Sequence, residues 1–138
     1  MTYFADLTPY VYDVTDRRRM NVGWLDAEHD YPMGVVDDEV SAALVHLLGF
    51  QTNPTRGTHS CPLCRKHMVE FVDDHGYNHL LGSAEIHVDG DDGSSFAVPS
   101  LIVHYVLEHE YLPPEAFRKA VVEFAKFYGM KSSPLAGA

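Results

Sequence analysis

Apolar residues recur with helical spacing at Val40, Ala43, Leu44, Leu47 and Leu48, and Asp37 stands where a capping side chain is needed. This predicts a helix opening at Asp37 and ended by Gly49 in a left-handed conformation. A second helical stripe begins after Pro99 and Ser100 with Leu101, Ile102, Tyr105 and Val106, and is expected to loosen near His109 ahead of the Pro113-Pro114 break. Pro114 opens a third helix, with Phe117, Ala120, Val121, Phe124 and Tyr128 along one face and Gly129 to end it.

Strand patterns occupy the intervals. Tyr10, Val11, Tyr12 and Val14 suggest an early strand and Asn21 to Leu25 a short extended piece; Met68 to Val72, Ser83 to Val88 and Ser95 to Val98 are further strands. Asp89-Gly90-Asp91-Asp92-Gly93 marks a tight turn joining the last two as a hairpin. Gln51 to Ser60, with Asn53-Pro54 and Gly57, reads as a loop. The fold class is therefore α+β, with antiparallel hairpins and about three helices. At 138 residues and 46% hydrophobic, the chain suits one domain over residues 1–130, followed by a flexible tail over 131–138 rich in Ser, Pro, Gly and Ala.

The two cysteines change the picture. Cys61-Pro62-Leu63-Cys64 places two thiols on one tight turn, and three residues is too short a spacing for a disulfide framework. A Cys-x-x-Cys knuckle points both sulfurs at one ion, and His104 and His109 supply a His-x4-His pair on the second helical stripe. Five steps at about 100° each leave two imidazoles facing different ways, so the helix is expected to loosen between them. Cys61, Cys64, His104 and His109 thus form the candidate ligand set of one structural zinc, a finger-like Cys2His2 site joining a knuckle loop to a helix.

Competing readings stay open. The four residues could be free thiols and ordinary histidines, and the cysteines could be a redox pair, although no thioredoxin-like context surrounds them. His59 and His67 flank the cysteines and could displace one of the four ligands; His75, His79 and His87 are weaker candidates. Glu108 could orient a water or support a histidine, and Glu85 or Glu108 could act as base if only three residues held the metal. Asp89, Asp91 and Asp92 lack the glycine and glutamate spacing of a calcium loop. Ser41, Ser60 and Ser83 sit in no nucleophile elbow, and no glycine-rich phosphate loop is present. Trp24, beside Gly23, is a core anchor or an interaction surface.

A net charge of −10 disfavours nucleic acid as partner, and the one basic run, Arg17 to Arg19, follows Asp13 and Asp16. No apolar run is long enough to span a membrane, and the N-terminus lacks a basic start followed by an apolar stretch, so a cytoplasmic protein is expected. The acidity favours a basic protein partner. The sequence points to a non-enzymatic, zinc-stabilised binding domain, with an antagonist or immunity-type role as one form of it. A metal-dependent enzyme is the alternative, and a zinc-finger nucleic-acid binder a third.

Through Asn21-Val22-Gly23-Trp24-Leu25-Asp26, Thr55-Arg56-Gly57, Cys61-x-x-Cys64, Gly82-Ser83-Ala84-Glu85-Ile86 and the segment from His104-Tyr105-Val106 to His109-Glu110-Tyr111-Leu112-Pro113-Pro114, the chain resembles a family of small bacterial domains of unknown function. The resemblance spans most of the chain. It implies that the cysteine pair, the histidine pair and the Trp24 segment belong to one recurring unit, and it brings no activity with it.

Overall fold

The computed structural model describes residues 3–10, 19–52, 54 and 58–130. The expected strand residues Val11, Tyr12 and Val14, the run members Arg17 and Arg18, the Thr55-Arg56-Gly57 segment and the 131–138 tail lie outside them. Within them stand β1 (Arg19–Asn21), α1 (Asp38–His46), a 3-10 turn (Leu47–Phe50), β2 (Gln51–Thr52), β3 (Glu70–Val72), β4 (Asn78–Leu80), β5 (Glu85–Asp89), β6 (Ser95–Pro99), α2 (Ile102–His109) and α3 (Glu115–Phe127). This is the α+β arrangement of three helices and hairpins that the sequence predicts.

β6 is the spine. A four-stranded sheet runs in the order β1-β6-β5-β2, and β3 and β4 form a separate two-stranded ladder. The β5–β6 hairpin pairs Val88 with Phe96 and Ile86 with Val98, around the expected acidic turn. Those four side chains are fully buried against the helices, and Phe96 meets Phe117 of α3 edge to face at 5.5 Å. All five β6 residues are buried, because the opposite face of the strand is covered as well. There Trp24 donates its indole N–H to the Ala97 carbonyl at 2.9 Å, and the Val22 N–H reaches the same oxygen. Trp24 is thus a core anchor.

Several details differ from the sequence expectation. The extended piece placed at Asn21 to Leu25 is shifted to Arg19–Asn21, and β1 pairs with β6 in parallel. Gly23, at φ +81°, takes the chain out of the ladder. Asp37 does cap α1, its Oδ1 accepting the Val40 N–H at 3.2 Å, but Gly49 does not end the helix in the left-handed region. The chain instead tightens into the 3-10 turn, which buries Leu47 and Leu48, so burial of those leucines governs the exit. β4 was not anticipated; Asp73 creates it by accepting the N–H groups of His75 and Tyr77 through Oδ1 and meeting His79 through Oδ2, which closes the β3–β4 turn. In α3, Phe117, Ala120, Val121 and Phe124 are buried as expected, whereas Tyr128 lies past the last turn and is about half exposed. Gly129, at φ +102°, follows it.

The N-terminal segment locks onto this frame through polar groups. Asp6 accepts the Gly23 N–H through Oδ1 and the Tyr111 hydroxyl through Oδ2 at 2.8 Å. The Tyr111 hydroxyl therefore titrates well above its ordinary range, from burial first and the Asp6 charge second. No helix among the described residues is long and apolar enough to cross a membrane.

Gly82 is the tightest joint. It sits at φ +94°, and a Cβ there would fall 2.4 Å from the His59 carbonyl oxygen, which accepts no displacement without moving the loop that carries Cys61. Gly82→Ala is expected to lower the melting temperature by several degrees or more, on the order of 2 kcal/mol for the left-handed backbone and the clash together. Thermal unfolding followed by circular dichroism checks this; Gly76→Ala, also left-handed at φ +83° but with nothing within 4 Å of its Cβ position, should show the backbone part alone and a smaller loss.

Candidate metal centre

The loop that carries the cysteines is shaped by its own backbone. Arg65 N–H bonds the Cys61 carbonyl at 2.8 Å, and Cys61 N–H bonds the Lys66 carbonyl at 3.0 Å. Closing so tight a turn puts Arg65 at φ +63°, a non-glycine residue in the left-handed region directly after Cys64. The amides of Cys64 and Leu63 point at the Cys61 sulfur and favour its thiolate. Burial is the stronger effect and raises the Cys61 pKa. An apolar pocket that penalises the free thiolate is relieved when a cation shares the site.

The histidines come from α2. The helix continues through His109 with no break between the two residues, so the expected interruption is not there. Widening occurs at the closing turn instead: the N–H groups of Glu110 and Tyr111 both reach back to the Tyr105 carbonyl, five and six residues away. Glu110, at φ +53°, then ends the helix. A wider last turn rotates His109 toward the face of His104, which is how a five-residue spacing converges. A strap over residues 31–34 holds this end in place: the Tyr31 hydroxyl donates to the His109 carbonyl at 3.0 Å, Gly34 N–H bonds Glu110, and Leu112 N–H bonds Pro32.

Loop and helix are joined before any metal is considered. His59 N–H bonds the Gly82 carbonyl at 2.9 Å, and Gly82 N–H bonds the hydroxyl of fully buried Ser100, at the entry to α2. The result is convergence of all four predicted side chains. One ligand atom from each of Cys61, Cys64, His104 and His109 lies within 4.8 Å of the others. Cys61 Sγ is 3.5 Å from His109 Nε2, Cys64 Sγ is 3.5 Å from His104 Nε2, and the two Nε2 atoms are 3.2 Å apart.

These separations test whether the residues fit a tetrahedral ion. With metal–sulfur bonds of roughly 2.3 Å and metal–nitrogen bonds of roughly 2.0 Å, a tetrahedral zinc spaces sulfur and nitrogen about 3.5 Å apart and two nitrogens about 3.3 Å apart. Three observed edges match. N–H···N and S–H···N bonds would account for these contacts one at a time; the metal reading rests on all four donors meeting around one point. His104 also has its pKa lowered, by burial first and by neighbouring His109 and Lys66 against the opposing pull of Glu108, which favours the neutral ring that ligates a metal.

The other candidates are placed elsewhere. His67 is exposed and its Nδ1 is paired with the Ser60 hydroxyl at 3.0 Å; His59 contributes its backbone to the Gly82 joint and its half-buried ring stands outside the cluster. His79 pairs with Asp73 and His87 with Glu85, at 2.8 and 2.7 Å, and His75 is exposed. Glu108 is exposed on α2. Among the described residues no other group of three or more His, Cys, Asp or Glu side chains converges in this way. Sequence reasoning missed the supporting residues Tyr31, Gly82 and Ser100, whose types carry no metal signal; the left-handed Arg65 likewise has no pattern to announce it.

Ligand protonation sets a pH dependence. A histidine whose folded pKa lies below its ordinary 6.5 contributes stability above that value and loses it as the pH falls, because the unfolded chain then binds the extra proton. Proton competition for thiolates and imidazoles acts in the same direction. The melting temperature of the metal-loaded protein is therefore expected to fall between about pH 6.5 and pH 5, and chelation at neutral pH to abolish the transition. Differential scanning calorimetry across that range measures both. If the cluster holds a structural zinc, Cys61→Ser should abolish the cooperative transition, since such an ion supplies on the order of 10 kcal/mol, comparable with a whole domain's stability. His67→Ala should leave the transition within a degree or two of wild type, as an exposed residue outside the cluster.

No curated protein and no solved structure matches the chain. A family model for a domain of unknown function, DUF7919, matches residues 2–122, and thus takes in both cysteines, both histidines and the Trp24 segment. The chain belongs to this family of domains of unknown function.

Proposed function

We propose that this protein is a non-enzymatic binding domain, held together by one structural zinc on Cys61, Cys64, His104 and His109, whose acidic surface engages a basic protein partner. The observation that carries this reading is the donor set itself. Four side chains stand close enough to share one ion, three of their separations match a tetrahedral zinc, and with all four bound no position would be left for water or substrate, as in a structural site. Two thiolates and two imidazoles favour zinc over calcium or magnesium, which take oxygen ligands.

Other features support the second half. The net charge of −10 steers a basic partner toward the protein and repels nucleic acid. An antagonist or immunity-type protein that covers a basic toxin is one biological form this would take. The enzymatic alternative draws no support from its two proposed bases: Glu85 is bound to His87, and Glu108 is solvent-exposed.

Cobalt substitution tests the closed shell. The visible spectrum is expected to show tetrahedral bands with thiolate charge transfer, unchanged by added azide or thiocyanate; a shift on adding either anion would mean an open position and favour the enzyme. For the partner, capture of a basic protein from the native host at low salt, lost at high salt, is the expected result. Failure to retain any protein under these conditions would count against the binding role.

A further inference from the structure

Aromatic rings and a free carboxylate meet on the side of α3 where the chain leaves the helix. Asp89, Gly90 and Asp91 of the β5–β6 turn face Phe124, Phe127 and Tyr128 across a cleft of about 180 Å3. Phe127 is 79% exposed and Tyr128 51%, and Tyr128 is the better packed of the two rings. Tyr128 lies 4.7 Å from Phe124 and 5.0 Å from Phe127, and Phe50 supports the first two from below at 5.2 Å to each.

The acidic wall has one unengaged group. Asp89 accepts from Ser95 Oγ at 2.6 Å and pairs with Arg19 at 3.3 Å, and Asp92 is used by the backbone and hydroxyl of Ser94. Asp91 has no hydrogen bond or ion pair among the described residues and is exposed. The two walls are also fixed relative to each other. A Cβ on Gly90 would stand 3.1 Å from Ala120 Cβ and 2.5 Å from Ser94 Oγ, so the turn sits directly on α3.

We propose that this cleft between the β5–β6 turn and the C-terminal end of α3 docks one basic side chain, lysine or arginine, of a protein partner. The inference rests on the proposed binding role and names where it acts. A cation over the faces of Phe127 and Tyr128 gains ring attraction, and Asp91 stands on the other wall to neutralise it. The volume suits a single side chain; a drug-sized ligand takes roughly 300 Å3 or more. Exposed aromatic rings offer large contact area, and Tyr128 is held by Phe50 and Phe124, as in other protein-recognition surfaces.

The test is amide chemical-shift mapping on the zinc-loaded full chain, titrated with the capped tripeptides Gly-Lys-Gly and Gly-Arg-Gly, and with Gly-Gln-Gly as the neutral control. The basic peptides are expected to move Gly90, Asp91, Phe127 and Tyr128 first and to lose the effect in high salt. Asp91→Asn and Phe127→Ser should each weaken binding by roughly two- to fivefold while keeping the wild-type melting temperature. Shifts scattered over the acidic surface, or unchanged affinity in both variants, would overturn the cleft. So would cleft signals that respond to Lys131→Ala and to no peptide, since the chain's own lysine would then be the occupant. If a host protein is captured equally well by wild type and by the double variant, the cleft fails while the binding role stands; if peptides map to the cleft but no host protein is ever captured, the cleft stands and the binding role fails.

Discussion

Holding a loop against a helix forty residues further along the chain is the constraint on which the rest of the structure depends. Cys64 and His104 are 40 positions apart, Cys61 and His109 48, and closing such loops costs conformational entropy that local sequence cannot repay. The backbone makes a first instalment through the hydrogen bonds from His59 to Gly82 and from Gly82 to Ser100. These bonds set the distance between knuckle and helix; they do not oblige four soft donors to face one another. That last convergence is what an ion would stabilise, because each of four bonds would reward a geometry that two thiols, one buried and one exposed, and two half-buried imidazoles gain little from alone.

The same constraint explains the local strain. Arg65 in the left-handed region, the wide closing turn of α2 and the close approach at Gly82 all lie on the path between the two halves of the site. None is favourable alone, and each shortens that path or turns a ligand inward. Away from it the fold is conventional: β6 is buried on both faces, α3 covers the sheet with a row of phenylalanine, alanine and valine, and Trp24 seals the other side. The core leaves the rings of Phe127 and Tyr128 outside.

Much of this was legible in the sequence, for physical reasons that differ by element. α1, α3 and the β5–β6 hairpin declare themselves because their apolar spacing and the Asp37 cap act within a few residues. The four ligands are legible because few side chains bind soft cations and two of them sit at knuckle spacing. What the sequence hid depends on distant partners. The parallel pairing of β1 with β6 joins residues more than seventy positions apart, and the Leu47–Phe50 turn forms because Leu47 and Leu48 bury together, which overrides the local preference of Gly49. Tyr31, Gly82 and Ser100 support the site through a donating hydroxyl, a close approach and an accepting hydroxyl that residue type alone cannot foretell.

The central claim is that one zinc ion completes the fold. Elemental analysis of the protein, purified without a metal-affinity tag and dialysed extensively, tests it most directly. The account predicts one equivalent of zinc per chain; a fully folded protein carrying no metal would contradict it and return the four side chains to a hydrogen-bonded cluster of free thiols and histidines.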